Sequence, residues 1–339
     1  MFLEKLCNSI GPSGYEDHIR NVIKNELNTF TDNVIIDRMG NIVVDKHGED
    51  DSSPKIMVIS HMDEAGLIIT SYNEDGTLKF STLGDIDKNS LPAKSVLIGD
   101  KKIPGVIGIK PIHIQSKKER DENISCENMC IDIGAFSAEE CRKIISLGDF
   151  AVFDGVFCSF GDNLLKGKAL GNRIGCSILV DLLKDDLSCN LYGVFNVQGN
   201  IGQRGVYAAA YNINPDLAII LDTIDSIDYK ETPSYFRTSK LREGPVIPFK
   251  AGQCMFDRGI VESIRNKAEE VGILYQKIGN TQGEGELKAT YLTINNCKTA
   301  SILLPCRYRN FNISVCSLAD YDNTLILLKS YLENYNIDI

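Results

Sequence analysis

Histidine is the scarcest chemistry-bearing residue of this 339-residue chain. There are four, His18, His47, His61 and His113, and none lies beyond residue 113. Any metal or acid–base site that needs histidine must draw it from the first third of the chain. Tryptophan is absent. Basic residues are in deficit, 36 against 46 acidic ones, which leaves a net charge of −10 at pH 7. Such a chain repels phosphate backbones unless its cations cluster. The densest cluster, Lys117, Lys118 and Arg120, is followed at once by Asp121 and Glu122, so a nucleic-acid partner is not expected. Long apolar runs are missing too. Leu217–Leu221 falls far short of the roughly 20 residues that cross a bilayer, and Met1–Arg20 holds no apolar stretch of signal-peptide length. No membrane association and a cytoplasmic location are the expectation. The loop Gly199–Gly205 lacks the GxGxxG spacing, and neither a Walker lysine motif nor a GxSxG elbow occurs, which argues against nucleotide cradling and a serine-hydrolase site. The 11 cysteines are odd in number and scattered from Cys7 to Cys316. They contain no CxxC pair, so reduced thiols are expected rather than disulfides or a zinc ribbon.

What is present has the balance of a globular enzyme, 43% apolar and 24% charged residues. Apolar spacing predicts a helix over Tyr15–Asn28, then short strands at Val34–Asp37, Ile42–Val44 and Ile56–Ile59. From about Gly66 to Asp162, strand-like runs punctuated by Gly, Pro, Asn and Asp dominate, with one helical piece at Ala138–Ile145. Helix–strand alternation then resumes. Helices are predicted at Ile174–Leu183, around Val206–Ala210, at Val261–Val271 and at Leu318–Leu332. The intervening strands are Leu191–Val197, Leu217–Leu221 and Ala300–Leu304. This predicts an α/β fold: a mostly parallel sheet flanked by helices, carrying an inserted small β-rich domain. The expected division is a core of residues 1–66 and 163–339 with an insertion over 67–162.

Two strand ends carry candidate chemistry. The strand Ile56–Ile59 runs into His61-Met62-Asp63-Glu64. A histidine there can ligate a metal while a carboxylate two residues on orients its ring. Strand-end histidines also serve as ordinary hydrogen-bonded structural residues. The second end is Leu221-Asp222-Thr223, where an acid closes a buried run and could equally cap a turn. In open α/β sheets, ligands gather at the carboxyl ends of strands.

The order and spacing of several segments make the chain resemble the tetrahedral metalloaminopeptidases from end to end, the glutamyl and deblocking aminopeptidases also labelled endoglucanases. They are Asp37–Ile42, Ser60–Gly66, Ile109–His113, Ile131–Ala135, Lys168–Gly175, Val197–Gly205, Leu221-Asp222 and Leu304–Tyr308. The resemblance implies a zinc-peptidase-like core, a β-rich insertion that mediates dimerisation, often within a dodecamer, and a two-metal zinc or cobalt centre that removes N-terminal residues from peptides. It further implies His61 and Asp222 as retained metal ligands and Asp63 as the residue that orients His61.

The other implied positions differ. Where the family has Asp-Asp-Arg-Ile-Gly, with its first Asp bridging the metals, this chain has Gly171-Asn172-Arg173-Ile174-Gly175. Where it has Gln-Glu-Glu-Val-Gly, the chain has Gln198-Gly199-Asn200-Ile201-Gly202, without the general base or the next ligand. Arg-Tyr-x-His becomes Arg307-Tyr308-Arg309-Asn310, and Gly-Gly-Thr-Asp is echoed as Gly279-Asn280-Thr281-Gln282. Clustered carboxylates repel one another and lose hydration unless cations compensate, so neutral replacements suit a cleft that no longer holds two metals. The expectation is therefore a catalytically degenerate member of that family, with no catalytic residue and only His61 and Asp222 as weak residual metal donors. Its partners would be itself, as a dimer or dodecamer, an active paralogue, or peptides bound in the old cleft. Two alternatives stand beside it. One is a working hydrolase whose site is rebuilt with zinc or cobalt, drawing on Asp225, Asp228, Glu284 or Glu286. The other is a small-ligand binding module.

Overall fold

The computed structural model describes residues 1–46, 48, 53–117, 124–233, 236–252, 254–279, 281, 296–309 and 311–333. His47, Lys118, Arg120, Asp121, Glu122, Asn280, Gln282, Glu284, Glu286 and Asn310 lie outside them.

Four central strands, Asn190–Asn196, Lys55–His61, Leu217–Asp225 and Lys298–Cys306, lie side by side and parallel. Parallel strands have both faces covered and so read as continuous apolar runs. Lys55–His61 obeys this, with only Lys55 exposed. Antiparallel neighbours extend the sheet: Ile42–Lys46 and Val34–Ile36 on one side, Val246–Pro248 on the other, with Gln276–Ile278 parallel to the last at the far edge. The eight-stranded sheet is thus mixed, parallel at its centre.

Helix Leu170–Leu183 packs on the strands that end in His61 and Asp225, between the helices Phe2–Cys7 and Leu318–Glu333. Gly175 is what lets it approach so closely, since a Cβ there would meet Ser60 Oγ. Helix Arg204–Ile213 packs on Asn190–Asn196. Its second residue, Gly205, has no room for a Cβ against Asn41 and Val197. Helix Arg258–Glu270 is capped by Asp257, whose side chain accepts from Ile260 N.

Between Gly66 and Phe153, six strands close into a barrel in the order Gly66–Tyr72, Thr77–Leu83, Met129–Asp132, Ile103–Ile109, Ser95–Ile98, Phe150–Phe153. Closure removes the exposed sheet edges. The barrel has its own core, including Leu67, Ile69, Leu78, Phe80, Val96, Ile98 and Ile131. Helix Ala138–Ile144, capped by Ser137, packs on the barrel strands Gly66–Tyr72 and Thr77–Leu83. Beyond it, Phe157 and Leu165 join the main core, and Cys158–Phe160 pairs with Leu164–Gly167 and through it with Ser314–Ser317.

Candidate active site

His61 and Asp222 meet because their strands are parallel neighbours in register, with Ile59 opposite Ile220. Both side chains are almost fully buried, and His61 Nε2 lies 3.8 Å from Asp222 Oδ1. Nδ1 faces Asp63 Oδ1 at 3.1 Å. Nε2 is buried and has no hydrogen-bond partner among the described residues.

Asp63 is held from four directions. Gly199 N and Asn200 N donate to its two carboxylate oxygens at 2.7 and 2.9 Å, Ser13 Oγ donates at 2.5 Å, and Asn200 Nδ2 at 3.0 Å. Burial raises its pKa, but the bonds from His61, Asn200 and Ser13 and the charge of His61 prevail, bringing the carboxyl down to about 2. The backbone O of Asp63 also accepts from Asn172 Nδ2 at 2.7 Å. Both asparagines that stand in place of acids or beside them are therefore occupied in bonding the segment that carries Asp63.

Gly199 packs directly against His61. A Cβ on Gly199 would lie well inside 3.0 Å of Nδ1, Cγ and Cβ of His61. The loop turns into this position with Gln198 at φ 54° and Gly202 at φ 83°.

Beside the His61–Asp63–Asp222 group lies a second buried charge cluster. Glu64 accepts from Lys168 Nζ at 2.9 and 2.8 Å, from Arg173 Nη2 at 3.0 Å and from Gly11 N at 3.0 Å. Arg173, fully buried, also donates to the carbonyls of Leu6 at 2.5 Å and Ser9 at 2.6 Å. Burial lowers the Lys168 pKa, with the charge of Glu64 opposing it. The sequence places Glu64 and Lys168 104 residues apart, and nothing in their spacing announces the pair.

Arg309 is the residue whose role the sequence reading missed. Its Nε donates to Thr223 Oγ1 at 2.9 Å, and Nη2 lies 3.8 Å from Asp222 Oδ1. A cleft opens on the Arg309 side of this group, with His61, Asp63 and Asp222 buried behind its lining. It is lined by Glu64, Asp85, Lys168, Gly171, Asn172, Asn200 and Arg309, with Ile86, Phe153 and Phe311 as its apolar wall.

The remaining candidates are not gathered here. His113 is exposed in a short 3₁₀ turn of the barrel segment, and His18 is exposed beside Asp100. Asp228 is bound by the Arg307 fork at 2.6 and 2.8 Å. Asp225 ends its strand half-buried, its carbonyl bonded by Ser239. Among the described residues, no three His, Cys, Asp or Glu side chains converge so as to hold a metal ion.

Residues 40–327 match the M42 glutamyl aminopeptidase family. FrvX of Escherichia coli (strain K12), provisionally named an aminopeptidase, is 31% identical over 97% of this chain and 94% of its own. The TET aminopeptidase of the marine sediment archaeon Thaumarchaeota archaeon SCGC AB-539-E09 superposes with a TM-score of 0.94. It is 26% identical over 99% of this chain and 96% of its own. The TET1 peptidase of Pyrococcus horikoshii, which can assemble into a tetrahedron or a large octahedral shell, gives a TM-score of 0.86. It is 29% identical over 98% of this chain and 99% of its own. The α/β peptidase fold expected from the sequence is the fold these proteins share.

Proposed function

The chain belongs to the M42 glutamyl aminopeptidase family, and from that premise we propose that it keeps the family's cleft for binding peptide ends and has given up two-metal hydrolysis. The observation that carries this reading is Gly199 lying against His61 with no room for even a Cβ. A general base at this position would require the loop to move. Two cations about 3.5–4 Å apart need a bridging carboxylate and further donors. Among the described residues the donors in place, His61 and Asp222, do not fit that demand: they are two, and Asp222 faces the Arg309 guanidinium. In this reading they are weak relics, and Asp63 serves the loop and the His61 ring.

The same proposal divides the chain into a core of 1–66 and 163–339 and an inserted domain of 67–162, the latter supplying a surface for self-association. Assembly in related TET peptidases supports a homo-oligomer. The eleven cysteines are all free thiols, which suits a reducing, cytoplasmic setting, and among the described residues no helix is long and apolar enough to cross a membrane.

A second reading, an aminopeptidase-like hydrolase with a remodelled site, is favoured by the aminopeptidase names of relatives that align along nearly the whole chain. The unpartnered His61 Nε2 beside Asp222 also supports it. Incubation of the purified chain with peptides of varied N-termini, with zinc or cobalt added, separates the two. The first reading expects peptide binding without release of N-terminal residues. Release that disappears with His61→Ala or Asp222→Asn establishes the second.

A further inference from the structure

We infer that Arg309 is the resident cation of this cleft, its guanidinium supplying to Asp222 the positive charge that a divalent ion would otherwise bring. This deepens the reading that the metal pair has been given up, and rests on it.

Three features interlock. Asp222 is buried within the central strand Leu217–Asp225, where an ionised carboxylate is costly without a counter-charge. Thr223 N donates to its Oδ1 at 2.8 Å and His61 Nε2 stands 3.8 Å away, neither being a permanent cation. Arg309, with a side chain 9% exposed, brings Nη2 to 3.8 Å from that carboxylate. Its Nε–Thr223 bond at 2.9 Å fixes the plane of the fork, which a point-charge lysine could not reproduce. The third feature is Gly171. A Cβ there would sit 3.4 Å from Arg309 Cγ and 3.3 Å from Thr223 Oγ1. Anything larger would press on both the stem of Arg309 and the hydroxyl that orients it. Glycine at 171 thus leaves the stem of Arg309 and the Thr223 hydroxyl undisturbed in the positions they take beside Asp222.

An intramolecular cation cannot be removed by a chelator and competes with any ion for Asp222. The test is a double-mutant cycle read by thermal melting, using Arg309→Met, Asp222→Asn and the double variant, each with EDTA and with excess zinc. The wild-type melting temperature should be the same in EDTA and in zinc. Each single variant should melt several degrees lower, and the double should melt clearly higher than the sum of the two shifts, because the Arg309–Asp222 interaction is counted in both single losses and lost only once in the double. Should Arg309→Met fail to fold, Arg309→Lys replaces it, with a smaller drop expected from the lost Thr223 bond. Additive shifts, or a wild type that zinc stabilises by several degrees, would overturn the inference. Peptide hydrolysis is followed on the same wild-type sample. Hydrolysis with coupling intact removes the non-hydrolytic reading and leaves the Arg309–Asp222 pair, whereas additive shifts without hydrolysis do the reverse.

Discussion

Asp63 and Glu64 are neighbours in sequence, both buried at the mouth of the same strand, yet they stand in two differently kept halves of one cleft. On the Glu64 side the charges are all in place: Lys168 and Arg173 bracket one carboxylate. On the other side, positions 171, 199 and 200 are Gly, Gly and Asn. The difference lies in where the cations come from. Lys168 and Arg173 are part of the chain, so their carboxylate partner remains compensated whatever the solution holds. Carboxylates that rely on bound ions have no such guarantee, and buried charge without a counter-charge is destabilising. A buried acid persists in this cleft where its counter-charge is built into the polypeptide. Asp222 and Arg309 extend that rule to the His61 half.

The sharpest way to break the comparison is to remove a built-in cation. Arg173→Met strips Glu64 of one partner and takes one donor from each of the Leu6 and Ser9 carbonyls, which keep bonds from Ser9 N and Lys168 Nζ respectively. It should cost about 3–5 kcal/mol in urea denaturation, the usual loss when one member of a buried ion pair is deleted. A loss below about 1 kcal/mol would show that the charged half is not held by this network. Next comes Asp63→Asn. The amide can accept from only one of Gly199 N and Asn200 N and turns its own donor toward the other, so a loss of about 2–3 kcal/mol is expected. Hydrogen exchange at residues 199 and 200 should quicken in parallel. Smallest is the contrast between two restored acids. Gly199→Glu collides with the His61 ring and should destabilise by about 1–3 kcal/mol through overpacking. Gly171→Asp meets only contacts of 3.3–3.4 Å and should cost less than Gly199→Glu in the same melting series. The reverse order would mean that the 199 loop yields easily.

Periodicity reveals long elements and misses short ones. The helix at Leu170–Leu183 and the four central strands are legible because apolar runs of that length seldom occur outside buried helices and strands. The helix Phe2–Cys7 and the strands Val246–Pro248 and Gln276–Ile278 are too short to show a period. In the site, His61 is legible as a strand end; Asp222, expected to close its strand, lies three residues before the end of Leu217–Asp225, and parallel register makes the two neighbours. The bonds of Asn200 to Asp63, of Lys168 to Glu64 and of Arg309 to Thr223 join residues 137, 104 and 86 positions apart. No local pattern encodes them. The one signal within the sequence is that the resemblance leads one to expect an acid at 171 and a histidine at 310, while the chain has Gly171 and Asn310 with Arg309 beside it.

The central claim, that this cleft no longer holds a pair of divalent ions, is tested most directly by metal content. The purified chain is equilibrated with zinc or cobalt, freed of excess by dialysis and measured for bound metal per chain. The account predicts well under one equivalent. Two tightly held equivalents would contradict it and mean that residues beyond His61 and Asp222 complete the site.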